Sequence, residues 1–566
     1  MDRFLFQPNA VEYQHQQQPP IEEILSFPIV LSDRILRAVN ESKSHRIECN
    51  VVGEKVDRLS EMLRSTVRFA KSAPSLYETP VRRIFADIAG NLNRTLALLR
   101  KCRHRSIFRR FISIVSVADF RKVFNLLDAS IGDMNWLLGI FDRGGEGIIV
   151  LSLPPIAIDY PILAWVWSNL ASLHQCTLNI KTEVARELSS FALDNDPNKD
   201  IIVEEGGISP LLKLLKQDSS PDAQIASAIA LFNLANNQYR ARLIFNEHGV
   251  PIIAHAFRNS QIMVQTEIAK LIATMAEHDT FSQEGFAREN LIGTLLTLLS
   301  SDTNSQTTKR SKTMPPHSLL NFKTNCSGAL WMLARGSITN CIKITEAKGL
   351  LHLSNLIERE KGELQINCLM TVMEITSVAE YNPDFRRTAF KTNSPITNQL
   401  LKLINQSDNP LIQIPAIRTI GQLSRTFPAR QTHIISPLIK QLGHRNQDIG
   451  MESVIALGKF TSPENFLSAE HSKTVFEFEG IQPLLRLLRG NERTQYHALV
   501  LMCYISMHAT EPFEQTRLLT ALQGANKSFA CKYSGLQELV TQATNHLIMA
   551  HSGRFFPQSQ SESYSR

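Results

Sequence analysis

The chain of 566 residues lacks any run of about 18 uncharged apolar residues, so no segment reads as a membrane-spanning helix. It also lacks the marks of common enzymes. There is no Gly-x-Ser-x-Gly elbow, no His-Glu-x-x-His and no phosphate loop closing in Gly-Lys-Ser/Thr. Its eight cysteines are scattered, without a Cys-x-x-Cys pair or a histidine at ligand spacing, so neither a disulfide framework nor a metal site is expected. Buried, reduced thiols fit a cytosolic or nuclear compartment. Met1 to Pro20 is Gln-rich and polar, with no basic leading region or apolar stretch, and is expected to be a disordered tail that does not direct secretion. Excess charge is scarce beyond the first 150 residues, which hold 22 Lys and Arg against 17 Asp and Glu within a total net charge of +7. The nearly neutral remainder argues against wrapping duplex nucleic acid, where neutralised phosphates supply much of the affinity.

What is present is repetition. Gly207-Ile208-Ser209-Pro210-Leu211-Leu212-Lys213-Leu214-Leu215 returns as Gly480-Ile481-Gln482-Pro483-Leu484-Leu485-Arg486-Leu487-Leu488, and weaker copies place the glycine-equivalent positions at 207, 249, 290, 349, 396, 434 and 480. A period near 40 residues marks a tandem helical solenoid of armadillo or HEAT type. In the first copy a short helix ends at Gly206-Gly207, read as left-handed stop glycines. Pro210 sits in the first turn of the second helix, and Gln224 to Ala235 forms a third whose small residues permit close stacking. Three helices per unit favour armadillo repeats, about seven of them. The longest step, 290 to 349, contains the Ser/Thr-rich segment 301–317, read as a loop insertion between second and third helices, with Lys309-Arg310-Ser311-Lys312-Thr313 a candidate phosphorylation site or basic address.

Upstream, apolar stripes of helical period do not repeat. Leu31, Ile35, Val39; Val56, Leu59, Met62 or Leu63, Val67; Ile84, Ile88, Leu92, Thr95, Leu99; and Phe120, Val123, Phe124, Leu127, Ile131 predict four helices, the last ending near Gly132. The expected organisation is all-α: a disordered tail over 1–20, a helical bundle over 21–142, a linker over 143–160, a right-handed armadillo solenoid with caps over 161–551, and a disordered tail over 552–566. Gly144-Gly145-Glu146-Gly147 is read as linker, since it lacks the strand and helix of a dinucleotide site.

Function on a solenoid lies along its inner helices. Armadillo proteins that clamp extended peptides repeat an Asn there, with a Trp one turn earlier. The corresponding positions hold Asn233, Thr274, Met332, Glu374, Gln422 and Lys459, and the Trp positions begin with Ile229 and Gly328, so the ladder is missing. This disfavours a nuclear transport adaptor. The candidate protein-binding residues are Asn233, Thr274, Arg335, Glu374, Gln422, Arg425 and Lys459, whose mixed polarity suits a folded, charged partner. A second candidate surface is Arg100 to Phe111, where Arg103, Arg105, Arg109 and Arg110 interleave with Ile107, Phe108 and Phe111 in a pattern suited to an anionic membrane. No catalytic residue, metal or cofactor is expected.

Ala118-Asp119-Phe120-Arg121-Lys122, Ile131-Gly132-Asp133-Met134-Asn135-Trp136, Leu153-Pro154-Pro155-Ile156, Asp194-Asn195-Asp196-Pro197-Asn198-Lys199 and Tyr496-His497-Ala498-Leu499-Val500 together resemble plant armadillo-repeat proteins of the Armadillo Repeat Only type. The resemblance spans about residues 30 to 550. It implies a non-enzymatic cytoplasmic scaffold in polarised tip growth, associated with Rho-of-plants GTPases, their regulators and the actin machinery at the plasma membrane. A nuclear location stays open, as does a role as substrate-recruiting accessory of a ubiquitin ligase acting in trans. The linker is too short for a U-box.

Overall fold

A computed structural model describes residues 20–72, 77–102, 115–142, 153–216, 220–300, 316–390, 395–428 and 432–552. Residues 1–19 and 553–566 of the expected tails, 143–152 of the linker, Arg103 to Arg110 and 301–315 of the expected insertion lie outside the described residues, while Pro316 and His317 begin a helix. The described residues form α-helices and short 3-10 turns, with no strand among them. The fold is all-α, a helical bundle followed by an armadillo solenoid, and its packing divides into two compact units, to Leu234 and from Ala235.

In the first unit, α1 (Ile21–Asn40), α2 (Arg46–Ser72), α3 (Glu78–Cys102) and α4 (Val117–Asp142) form the bundle, α1 and α4 each packing on both α2 and α3. The predicted stripes supply its core, including Leu31, Ile35, Val56, Leu59, Leu63, Ile84, Ile88, Leu92, Phe120 and Leu127. Helical drift settles two positions. Leu63 rather than Met62 is buried, and the next turn buries Thr66 rather than Val67, the hydroxyl donating to Met62 O at 3.1 Å. Gly132 does not end α4, which continues to Asp142. A Cβ at Gly132 would lie 2.8 Å from Pro155 Cγ, so glycine is needed there for close approach. The neighbouring Asp133 carboxylate accepts from the Ile156 N–H at 2.9 Å. The Gly132-Asp133 and Pro155-Ile156 sequences therefore meet in space.

α3 also meets the chain beyond the linker. Glu205, buried at the end of α7 (Asp196–Glu204), pairs with Arg83 at 2.6 Å and accepts from Trp167 Nε1 of α5 (Pro161–Gln175) at 2.7 Å. Its backbone carbonyl accepts from the Tyr77 hydroxyl at 2.8 Å. Burial raises the Glu205 pKa, against the opposing pull of the Trp167 hydrogen bond and Arg83. α6 (Leu178–Ala192) then packs on α9 (Pro221–Leu234), the third helix of the first repeat, with α8 (Ile208–Leu215) as its second.

In the second unit, α12 (Ile262–His278), α15 (Pro316–Ala334), α18 (Glu363–Tyr381), α21 (Pro410–Gln422), α23 (Gln447–Thr461) and α26 (Glu492–Ser506) stack in succession as third helices, and α28 (Ser534–Ser552) packs on the last. The second helices are α11 (Gly249–Asn259), α14 (Leu291–Ser300), α17 (Gly349–Arg359), α20 (Pro395–Gln406), α22 (Thr432–Gln441) and α25 (Ile481–Leu487). First helices are α10 (Gln238–Asn246), α13 (Thr280–Arg288), α16 (Ile338–Glu346), α19 (Pro383–Ala389) and α24 (Ser468–Glu477). Between α21 and α22 the described residues hold only a 3-10 turn, Ser424–Thr426, in place of a first helix.

Most first helices are capped by a side chain accepting a backbone N–H: Asn195, Asn237, Asp279, Ser337 and Asn382. The turn into the second helix differs from the sequence expectation. The left-handed residue is Gly206, His248, Asn290, Lys348 or Glu479, four of them not glycine. The following Gly207, Gly249, Gly349 and Gly480 are needed for space: a Cβ would fall 2.8, 2.6, 2.6 and 2.9 Å from the carbonyl oxygens of Ile202, Ile244, Ile344 and Val475. The equivalent in the third copy is Leu291, not Asn290, so that turn accommodates a side chain and the close approach belongs to the four copies with glycine.

A candidate protein-docking groove

The third helices carry Asn233, Thr274, Glu374, Gln422 and Lys459, while Arg335 follows α15 directly and Arg425 lies in the 3-10 turn after α21; most of these residues are engaged within the protein. In the first unit, Asn233 donates to the carbonyl and hydroxyl oxygens of Ser189, both at 3.0 Å, so its amide ties α9 to α6. In the second unit, Thr274 is half-buried on α12. Arg335 pairs with Glu277 at 3.2 Å, while Glu374 accepts from the Gly336 N–H at 3.3 Å. Gln422 is buried and accepts from the Thr376 hydroxyl at 2.6 Å.

Gln422, Arg425 and Lys459 come together. They line a groove of about 300 Å³ with Glu380, Tyr381, Ser424, Val454, Ile455, Gly458, Ser462, Glu464, His497, Val500 and Tyr504. Lys459 reaches from α23 to Glu380 at the end of α18, at 2.7 Å, and Arg425 pairs with Glu464. Burial, reinforced by Arg493, lowers the His497 pKa and favours its neutral form. Tyr381 stands 83% exposed at the rim.

Two glycines beside the groove differ in their surroundings. At Gly421 a Cβ would lie 2.9 Å from the backbone of Ala456, so helix packing demands its absence. At Gly458, inside α23, a Cβ would meet nothing within 4 Å. Such a glycine costs about 1 kcal/mol of helix stability relative to alanine, as do Gly90 and Gly524, which also lie inside helices with nothing near a Cβ.

Sequence reasoning missed Glu380, Tyr381, Gly458, Glu464 and Tyr504. It compared one position per third helix, whereas the groove also draws on residues a turn away and on the segment after α23. The basic candidates Arg103, Arg105, Arg109 and Arg110 lie outside the described residues. Among the described residues there is no group of three or more His, Cys, Asp or Glu placed to hold a metal, and no helix is long and apolar enough to cross a membrane.

Stacked third helices preceded by a bundle define the class, an armadillo-repeat solenoid. Comparison with known proteins agrees: the Armadillo/beta-catenin-like repeat family matches residues 195–236, and a family described as a domain of unknown function (DUF7792) matches 22–142, the span of α1 to α4. An engineered protein of known crystal structure shares the fold, at 19% identity and TM-score 0.58, over 69% of this chain and 90% of its own. A computationally designed armadillo repeat protein for modular peptide recognition aligns at 18% identity and TM-score 0.39, over 45% of this chain and 99% of its own. No curated protein matches. No catalytic family is indicated.

Proposed function

We propose that the chain is a non-enzymatic scaffold that docks a protein partner in the groove across α18, α21, α23 and α26. The observation carrying this reading is the convergence of charged and aromatic side chains from four successive repeats on one concavity, which includes Gln422, Arg425 and Lys459. The resemblance to Armadillo Repeat Only proteins extends the proposal to Rho-of-plants signalling in polarised growth, with the basic segment from Arg103 to Arg110 biasing the complex to anionic membrane by about 1 kcal/mol per basic residue. Co-localising partners then raises their effective concentration.

The test is a pull-down by the full chain and its Lys459→Glu variant from GTP-loaded and GDP-loaded Rho-type GTPase, scored also for ubiquitin-ligase components. Preferential recovery of the GTP form, weakened by the substitution, is expected. Ligase components without GTPase would replace the pathway assignment. Equal co-sedimentation with neutral and anionic vesicles would remove the membrane part.

A further inference from the structure

We infer that one end of the helical bundle, where α1 turns into α2 and where α3 ends and α4 begins, is a docking face for an anionic lipid bilayer. The inference rests on the membrane part of the scaffold reading and assigns it to side chains of the folded bundle. Three stretches of chain are fastened together there. The N–H groups of Lys43 and Ser44 donate to the Cys102 carbonyl oxygen at 3.2 and 3.3 Å, and the Ser44 hydroxyl donates to it at 3.1 Å. The same turn reaches the start of α4, the rings of His45 and Phe120 lying 5.5 Å apart. This packing gathers Lys43 from the turn, Arg46 from the first residue of α2, Arg100 and Lys101 from the last turn of α3, and Arg121 and Lys122 from the second turn of α4.

All six cations are exposed, and none forms an ion pair among the described residues. Elsewhere on the bundle Lys55, Arg64, Arg82 and Arg83 each pair with a carboxylate. The carboxylates at this end are engaged otherwise. Asp119 accepts from the Ser116 N–H at 2.9 Å and from its hydroxyl at 3.0 Å, Glu48 lies 4.0 Å from His45, and Glu41 has an interaction of its own. The Ser116 hydrogen bonds, joined by the charges of Lys122 and Lys101, hold the Asp119 pKa below the ordinary carboxylate value. Headgroup phosphates arriving at this face therefore displace no internal pair. Beside the cations, Ile47 is 80% and Val117 58% exposed. Aliphatic side chains among unpaired cations suit a bilayer, whose phosphates take the charges while its acyl boundary takes the apolar groups. Single-stranded nucleic acid stacks its bases on exposed aromatic rings, whereas Phe120 at this end is fully buried.

The experiment co-sediments the full-length protein with phosphatidylcholine vesicles, with and without phosphatidylserine, at rising salt. Recovery on the phosphatidylserine vesicles alone is expected, and it should fall as salt rises. Replacing two cations, Lys101→Gln with Lys122→Gln, should weaken partitioning by roughly tenfold or more. Replacing the apolar pair, Ile47→Ser with Val117→Ser, should weaken it by roughly tenfold while the salt dependence persists. All four substitutions are at exposed positions, and circular dichroism should match the parent. If both double variants partition like the parent while neutralising Arg103, Arg105, Arg109 and Arg110 abolishes binding, the inference is overturned and the membrane reading stands. No recovery of the parent on phosphatidylserine vesicles would overturn both. A single-stranded RNA that displaces the parent from vesicles, and that the Ile47→Ser, Val117→Ser variant binds equally well, would reassign the face to nucleic acid and overturn the inference.

Discussion

At the scale of single residues, the repeat glycines are governed by contact distance rather than by backbone dihedral. Gly249→Ala would place a methyl 2.6 Å from the Ile244 carbonyl oxygen, so the turn must open, with an expected loss of about 2–4 kcal/mol in denaturant unfolding. Asp133 offers a test by pH. Burial, reinforced by Asp87, raises its pKa to about 6 from an ordinary 3.8, although the Ile156 N–H opposes the shift. Between those values the folded state binds more protons than the unfolded one. This group's contribution therefore falls as pH rises from about 4 to 6, and the penalty is complete above 6. Asp133→Asn keeps an acceptor for Ile156. The variant should match the parent near pH 4 and exceed its stability at pH 7 by on the order of 1–3 kcal/mol, checked by urea titration at both values.

At the scale of elements, the helix periods were readable because apolar spacing reports burial directly. The four bundle stripes fall on α1 to α4, and Pro210 lies in the first turn of α8, which begins at Ile208. Interactions that skip along the chain were not readable. Gln224, Gln265, Gln365 and Gln413 recur near the starts of third helices, each buried, each amide donating to a carbonyl at or near the end of the preceding second helix: Leu215, Phe257, Ile357 and Ile404, at 2.7 to 3.2 Å. Their recurrence was a visible signal, but glutamine has no strong local preference that announces a pairing eight or nine residues upstream. Gln365→Met should fill similar volume yet leave the Ile357 carbonyl unpaired, lowering stability by about 1–3 kcal/mol in chemical denaturation. The groove was only partly legible for the same reason. Lys459 was selectable from repeat alignment, but Glu380 lies two repeats away in the stack, and only the fold brings its carboxylate to 2.7 Å.

At the scale of the whole molecule, the bundle shares a compact unit with the start of the solenoid. Tyr77 and Arg83 reach Glu205, and the rings of Trp136 and Trp167 lie 5.8 Å apart across the same junction. A fragment of residues 20–234 should therefore unfold in one cooperative transition by circular dichroism. A fragment of residues 20–142 loses these partners and should melt lower by several degrees, since about 1 kcal/mol shifts a domain of that size by some 4–8 °C. Equal melting of the two would show that the junction contributes nothing to the bundle.

The non-glycine residues at the left-handed turns have one last implication. His248, Asn290, Lys348 and Glu479 hold φ between 54° and 58°, a region that unbranched side chains can enter at some cost, and they differ in charge and size from copy to copy. Each turn is thus a site where mutation can rewrite the outer edge of the molecule one repeat at a time while the stack beneath it stays unchanged.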